Sequence, residues 1–385
     1  MKKVLILQNK GKTYGGVWQV NKLVGETLLE YGYDISIVSI RDNQNDLIIE
    51  HDKRLKVFTI NEKDIWYTYK GTEIINEFKK FHIIKSIKMA ISRIKHDIDI
   101  KKDIKKLHKY IREYKPNYII TSHYQLLDMI PKEYLNITIN EQHSSFKDAI
   151  NHKATRKTYD KYNGKIKFLW LTKKTMEDAI AYGLKNNTYI YNAVRFKSKE
   201  TADITKNKKL ITIARLSEQK RIDIMIDIAK ELFKDKKLKD WVLEIYGNGE
   251  LEDELRKQIG NHKQIKLMGV TDNPKQELLN SSINLNTSSF EGFSLSILEA
   301  NECGVPTITF DFGESVHEEI INNKTGIIAN DKEDYINKLK ELMLNKDKLL
   351  ELSKNAKEFS SEFHIENIIK KWIELFAEYD KKDTK

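Results

Sequence analysis

Along the chain, short runs of apolar, β-branched residues alternate with longer stretches in which apolar positions recur every three or four residues. A strand buried on both faces reads as continuous hydrophobics and the helix covering it as a single stripe, so this alternation predicts βαβ units and parallel sheets. The pattern runs twice. In the first half, strands are predicted at residues 4–7, 35–40, 55–60, 118–121, 137–140 and 168–171; the rhythm restarts at 210–214, 241–246, 265–268, 283–286 and 307–310. Between the two series, residues 186–207 are polar and lysine-rich apart from a brief apolar piece at 189–194, and read as a linker. Near the end, Ile365, Ile368, Ile369, Trp372, Ile373 and Phe376 share one helical face, which predicts a docking helix.

A chain of 385 residues, 40% hydrophobic and 32% charged, suits two soluble domains and excludes the disordered and fibrous classes. Its apolar runs are far shorter than the roughly 18–20 residues of a membrane-spanning helix. The apolar stretch after the basic tip stops at Gln8, too early for a secretory signal, and reads as the first strand. The single cysteine, Cys303, has no partner for an intramolecular disulfide and reads as a small buried residue, so a reducing cytoplasm is the expected location.

The net charge of +10 comes almost wholly from residues 79–115, which hold 13 Lys and Arg against 4 Asp and Glu. On a helical wheel Ile84, Ile87, Ile91, Ile94 and Ile98 fall on one arc, with Lys85, Lys88, Ser92 and Lys95 opposite. Two readings stay open: a domain helix with its apolar face on the sheet, or a helix contacting anionic lipid or an anionic polymer. Nucleic acid is disfavoured, because no helix-turn-helix, RNA-recognition or zinc-finger pattern accompanies the charge.

Candidate chemistry lies in the segment from Asn286 to Ala300, which follows a strand and opens a helix. Ser294 stands at the expected N-cap, where backbone N–H groups and the helix dipole favour an anion such as phosphate. Glu291 falls on the preceding turn, and Glu299 is placed inside the helix, able to accept two hydrogen bonds from a vicinal diol. Arg215 and Lys220 follow the strand at 210–214, at the carboxyl end where open α/β sheets bind ligands, and together could neutralise a diphosphate.

With these residues the chain resembles the retaining GT-B glycosyltransferases of glycosyltransferase family 4. Glu291 and Glu299 match the E-x7-E signature, Arg215 and Lys220 the Arg…Lys pair, and Tyr14-Gly15-Gly16-Val17 the first glycine loop. Tyr246-Gly247-Asn248-Gly249, Gly269-Val270, Gly304-Val305-Pro306 and Asn323-Lys324-Thr325-Gly326 extend the likeness over nearly the whole chain. Departures are Arg221 and Ala214 where glycines are usual, and His143-Ser144 where many members have His-Gly or His-Asn.

The resemblance implies an α/β fold of two Rossmann-like domains facing across a cleft: an acceptor-binding domain at 1–190, a nucleotide-sugar domain at 195–362, and a helix at 363–385 packing back on the first. It implies that Glu299 grips the donor ribose, that Arg215 and Lys220 hold the diphosphate, and that Glu291 lies against the donor sugar. The backbone of Phe293, Ser294 and Leu295 would approach sugar and phosphate, Gly16 would bring first-domain backbone to the phosphates, and Val270 would touch the base. His143 would contact the sugar near the reacting carbon, with His123 as a second candidate.

The implied activity is retaining transfer of a hexose or N-acetylhexosamine from a UDP-sugar to a hydroxyl of a cell-envelope acceptor, such as teichoic acid, capsule or glycolipid. Neither cofactor nor metal is expected. Asp97-Ile98-Asp99 spells a D-x-D, but it lies inside the basic helix, where both carboxylates read as partners of neighbouring lysines. Expected partners are the nucleotide-sugar and an anionic polymer, oligosaccharide or lipid-linked acceptor; the second reading of the basic helix adds peripheral contact with the inner face of the plasma membrane. The alternatives are a GT-B sugar-nucleotide epimerase, or a non-catalytic subunit binding a nucleotide-sugar or anionic polymer.

Overall fold

The computed structural model describes residues 1–9, 15–41, 50–61, 71–313 and 315–383; Tyr14 of the glycine loop lies outside them. Seven strands form a first sheet: β1 (Lys3–Gln8), β2 (Asp34–Arg41), β3 (Lys56–Asn61), β4 (Tyr118–Thr121), β5 (Thr138–Gln142), β6 (Lys167–Trp170) and β7 (Asn187–Tyr189). Six form a second: β8 (Lys209–Ile213), β9 (Val242–Tyr246), β10 (Ile265–Gly269), β11 (Ile283–Asn286), β12 (Thr307–Phe310) and β13 (Gly326–Ala329). All pairings are parallel, in the orders β3-β2-β1-β4-β5-β6-β7 and β10-β9-β8-β11-β12-β13. Both are doubly wound, as expected, with order reversals between β1 and β4 and between β8 and β11, where crevices open at the carboxyl ends.

Every predicted strand is present. The two additions, β7 and β13, have three and four residues. β7 lies inside the segment read as linker, where its half-buried Asn-Thr-Tyr pairs with β6 and carries no hydrophobic run to announce it.

The terminal helix Ile365–Asp383 packs on the first sheet. Ile368, Ile369, Trp372 and Phe376 join Val4, Ile6, Val20 and Tyr118 in one core. Phe376 stacks on Tyr118 with ring centroids 4.2 Å apart, and the Tyr118 hydroxyl donates to Asp380 Oδ1 at 2.6 Å. The chain thus passes between the sheets twice, and the two passages are joined where Val194 N–H donates to the Phe363 carbonyl at 2.9 Å.

The basic segment forms the helix Ile83–Tyr114, preceded by a short helix Gly71–Lys79. Its isoleucine arc does not face the sheet. Leu107, Ile111 and Tyr114 fix which side docks, and a buried ion pair, Arg41 Nη2 to Asp103 Oδ2 at 2.9 Å, pins that side to the end of β2. The same side, followed back toward the start, carries Met89 and His96. Ile84, Ile87, Ile91, Ile94 and Ile98 therefore point away, each exposed by 48–73%. The reading in which this arc lies on the sheet is corrected on that geometry.

Phe376 is fully buried, so Phe376→Ala should destabilise the protein by about 3–5 kcal/mol. Chemical denaturation of the variant checks this; a loss below about 1 kcal/mol would mean that the terminal helix contributes little to the first domain.

Candidate active site

A cavity of about 750 Å³ lies between the two sheets. Gly16, His143, Arg215, Lys220, Val270, Glu291, Phe293, Ser294, Leu295 and Glu299 all line it. His123 and the D-x-D aspartates do not; Asp99 sits 3.9 Å from Lys102, and no group of three potential metal ligands occurs among the described residues.

Topology explains the convergence. The helix Gly16–Glu30 starts after β1 with Gly15 as its N-cap, a residue with no side chain to accept the first N–H groups. The helix Leu295–Glu302 starts after β11, and its N-cap Ser294 makes no side-chain cap either; the hydroxyl lies 3.1 Å from that of Ser296 instead. The two starts meet, since a Cβ on Gly16 would sit 3.5 Å from Leu295 Cδ1. Two positive dipole ends from two domains thus face one cavity.

The charged groups are arranged around them. Arg215 follows β8 as an exposed side chain on the cavity wall. Lys220 Nζ pairs with Glu291, whose Oε1 also accepts from Ser288 Oγ at 2.7 Å. Glu299, almost fully buried, is gripped by Arg195 through Nε and, at 2.7 Å, through Nη2. Although burial opposes the Arg195 charge, Glu299 beside it raises the pKa. His143 places Nε2 3.3 Å from Glu141 Oε2 without a hydrogen bond.

Arg195 has no local motif to betray it, and neither do two glutamates the sequence reading passed over. Glu319 is wholly buried: its Oε2 accepts the Ser294 N–H at 2.9 Å, its Oε1 has no partner, and burial holds its carboxyl well above the usual range. The Ser294 N–H is therefore engaged by Glu319 in this structure. Glu318 reaches the other domain, accepting from Lys173 N at 3.0 Å, Lys174 N at 2.8 Å and the Tyr191 hydroxyl at 2.7 Å. It supplies an anion to the start of the helix Lys173–Tyr182, whose own first turn holds none.

Backbone conformation explains why a glycine would suit position 221. Arg221 sits at φ 48°, the left-handed region that glycine occupies without cost. Its guanidinium lies 5.8 Å over the Phe310 ring, an attraction of about 0.5–1 kcal/mol that offsets part of the strain. Gly292 answers a different demand: a Cβ there would stand 2.2 Å from the His143 carbonyl oxygen, so the first domain closes down on a position where no side chain fits. Cys303 is buried, and burial pushes its thiol up to about 12, so it is no nucleophile at neutral pH.

Residues 194–359 match the family model described as Glycosyl transferases group 1. An uncharacterized glycosyltransferase of Haemophilus influenzae is 24% identical over 97% of this chain and 99% of its own length. The poly(ribitol-phosphate) alpha-N-acetylglucosaminyltransferase of Staphylococcus aureus is 29% identical over 43% of this chain, and the match covers 34% of that protein's length. Among solved structures, S. aureus TarM in complex with UDP and alpha-GlcNAc-glycerol aligns with TM-score 0.76 at 17% identity over 98% of this chain and all of that one. Anabaena HepE with UDP and glucose aligns with TM-score 0.72 at 16% identity over 98% and 100%. These structures establish the GT-B fold.

Gly292→Ala should leave each domain folded but hold the two apart; small-angle scattering should show an increased radius of gyration, and an unchanged radius would show that the contact yields locally. Burial, helped by the charge of His143, lowers the His123 pKa to about 4, and its Nδ1 accepts the Gln125 N–H at 3.3 Å. An unfolded histidine near 6.5 takes up its proton first, so the native state loses stability as pH falls from about 6.5 to 4, by on the order of 3 kcal/mol. Denaturation midpoints over that range should fall more steeply for the native protein than for His123→Asn, which keeps an acceptor but does not titrate; parallel curves would remove His123 from the account.

Proposed function

We propose that the protein is a retaining glycosyltransferase that moves a hexose or N-acetylhexosamine from a UDP-sugar to a hydroxyl of a cell-envelope polymer. The observation that carries this reading is the single cavity in which two helix starts, Arg215 and Lys220 surround the space beside Glu291 and Glu299. The group 1 match, the relatives named as poly(ribitol-phosphate) and poly(glycerol-phosphate) transferases, and UDP in the solved neighbours all support it.

In this reaction the anomeric C–O bond to the diphosphate breaks and the acceptor oxygen bonds to the same face of the sugar. The acceptor proton passes to the departing phosphate oxygen. Negative charge grows on that phosphate, and fixed positive groups stabilise it without reorganising, the largest single term in many enzymes. Arg215 meets the diphosphate as a planar fork, and Lys220 is steadied over the cavity by Glu291. Arg195 fixes Glu299 so that its remaining lone pairs can accept the donor ribose hydroxyls. Because these groups carry the charge, the reading assigns no step to a metal.

Incubation with UDP-, GDP- and ADP-sugars in EDTA should release UDP only with the right donor and acceptor together. Donor turnover without acceptor would favour an epimerase or hydrolase, and full loss in EDTA restored by Mn²⁺ would overturn the metal-free step. Lys220→Ala should lower kcat on the order of 100- to 1000-fold with the fold intact; near-native kcat would remove Lys220 from the site.

A further inference from the structure

Among the described residues, nothing buries the outward face of the helix Ile83–Tyr114. Phe81, Ile84, Ile87, Ile91, Ile94 and Ile98 are exposed by 48–87%, although the opposite side of the same helix is buried. The strip from Ile84 to Ile98 is about 21 Å long at 1.5 Å per residue. Exposed lysines accompany it: Lys85, Lys88 and Lys95 lie off the isoleucine arc, Lys88 and Lys95 nearest its edge, and Lys102, Lys105 and Lys109 continue the outward face beyond Ile98. Among the described residues, Lys85 pairs with Glu77, Lys102 with Asp99 and Lys109 with Glu113.

We propose that this face lies on the surface of a bilayer containing anionic lipid, with the isoleucines entering the acyl boundary and the lysines at the headgroups. Two properties have to be satisfied together. The apolar strip needs a partner that removes it from water, and the charge around it, 13 cations against 4 anions over residues 79–115, needs an anionic one. An anionic lipid surface supplies both in the order the helix presents them. A second copy of the chain would cover the isoleucines but bring like charge against like charge, and a soluble anionic polymer would satisfy the lysines and leave the isoleucines wet. No helix among the described residues is long and apolar enough to cross a membrane, so the contact is peripheral.

The geometry also separates this face from the chemistry. None of the isoleucines or lysines named here lines the interdomain cavity, so lipid binding and sugar transfer can be altered independently.

The test is co-sedimentation of the full chain with vesicles of phosphatidylcholine alone and of phosphatidylcholine with 30% phosphatidylglycerol, alongside light scattering and a gel-shift with soluble polyglutamate. The native protein should pellet with the anionic vesicles at least ten-fold more strongly than with the neutral ones, and added salt should weaken this. Ile87→Ser with Ile91→Ser and Ile94→Ser, and separately Lys88→Glu with Lys95→Glu, should each reduce pelleting at least ten-fold while leaving the thermal midpoint and UDP-sugar turnover unchanged. Equal pelleting of the isoleucine variant, binding to polyglutamate without binding to vesicles, or a dimer abolished by the isoleucine changes with no vesicle binding would each overturn the proposal.

Discussion

A site built from two separately folded sheets exists only while those sheets are held face to face. Here that constraint is electrostatic as well as steric. Two helix starts and three cationic side chains, Arg195, Arg215 and Lys220, converge on one cavity, and like charge resists being gathered. Carboxylates set among them relieve the repulsion: Glu291 against Lys220, and Glu299 against Arg195 at the passage between domains. The cavity therefore remains a concentrated field for an anion without being a concentration of unpaired charge.

Contacts across the domain boundary follow the same logic. Glu318 supplies negative charge to a helix start in the opposite domain, and Phe293 stacks on Tyr191, ring centroids 5.2 Å apart, as Leu171, Val194 and Phe363 close a small core around them. Gly292 permits a close backbone approach to His143 across the boundary. The segment that carries the candidate chemistry is also the segment on which the domains meet, so the state of the cavity and the angle between the domains are physically one variable.

Much of this was legible in the sequence. Buried parallel strands write themselves as unbroken apolar runs, which is why eleven of the strands could be placed, while the Asn-Thr-Tyr of β7 could not. The ten residues singled out for chemistry converge because nine follow the carboxyl end of a strand or open a helix there, and Glu299 lies one turn into such a helix, positions that local sequence reveals. Arg195, Glu318 and Glu319 escaped for the opposite reason: each acts through a partner at least 25 residues away, with no periodicity or motif to mark it. The isoleucine arc was read correctly as a face, but a wheel holds no information on which of two faces docks; the spacing of Leu107, Ile111 and Tyr114 further along decided that.

The terminal helix has a consequence for biosynthesis. Val4, Ile6 and Tyr118 of the first sheet are covered by Ile368, Trp372 and Phe376 of the helix Ile365–Asp383. At about 5–20 residues per second, a ribosome spends on the order of ten seconds or more making the second domain, while the apolar underside of the first sheet waits for its lid. During that interval the nascent first domain is an incomplete body that invites chaperone capture, and it is completed only once the helix Ile365–Asp383 has been made.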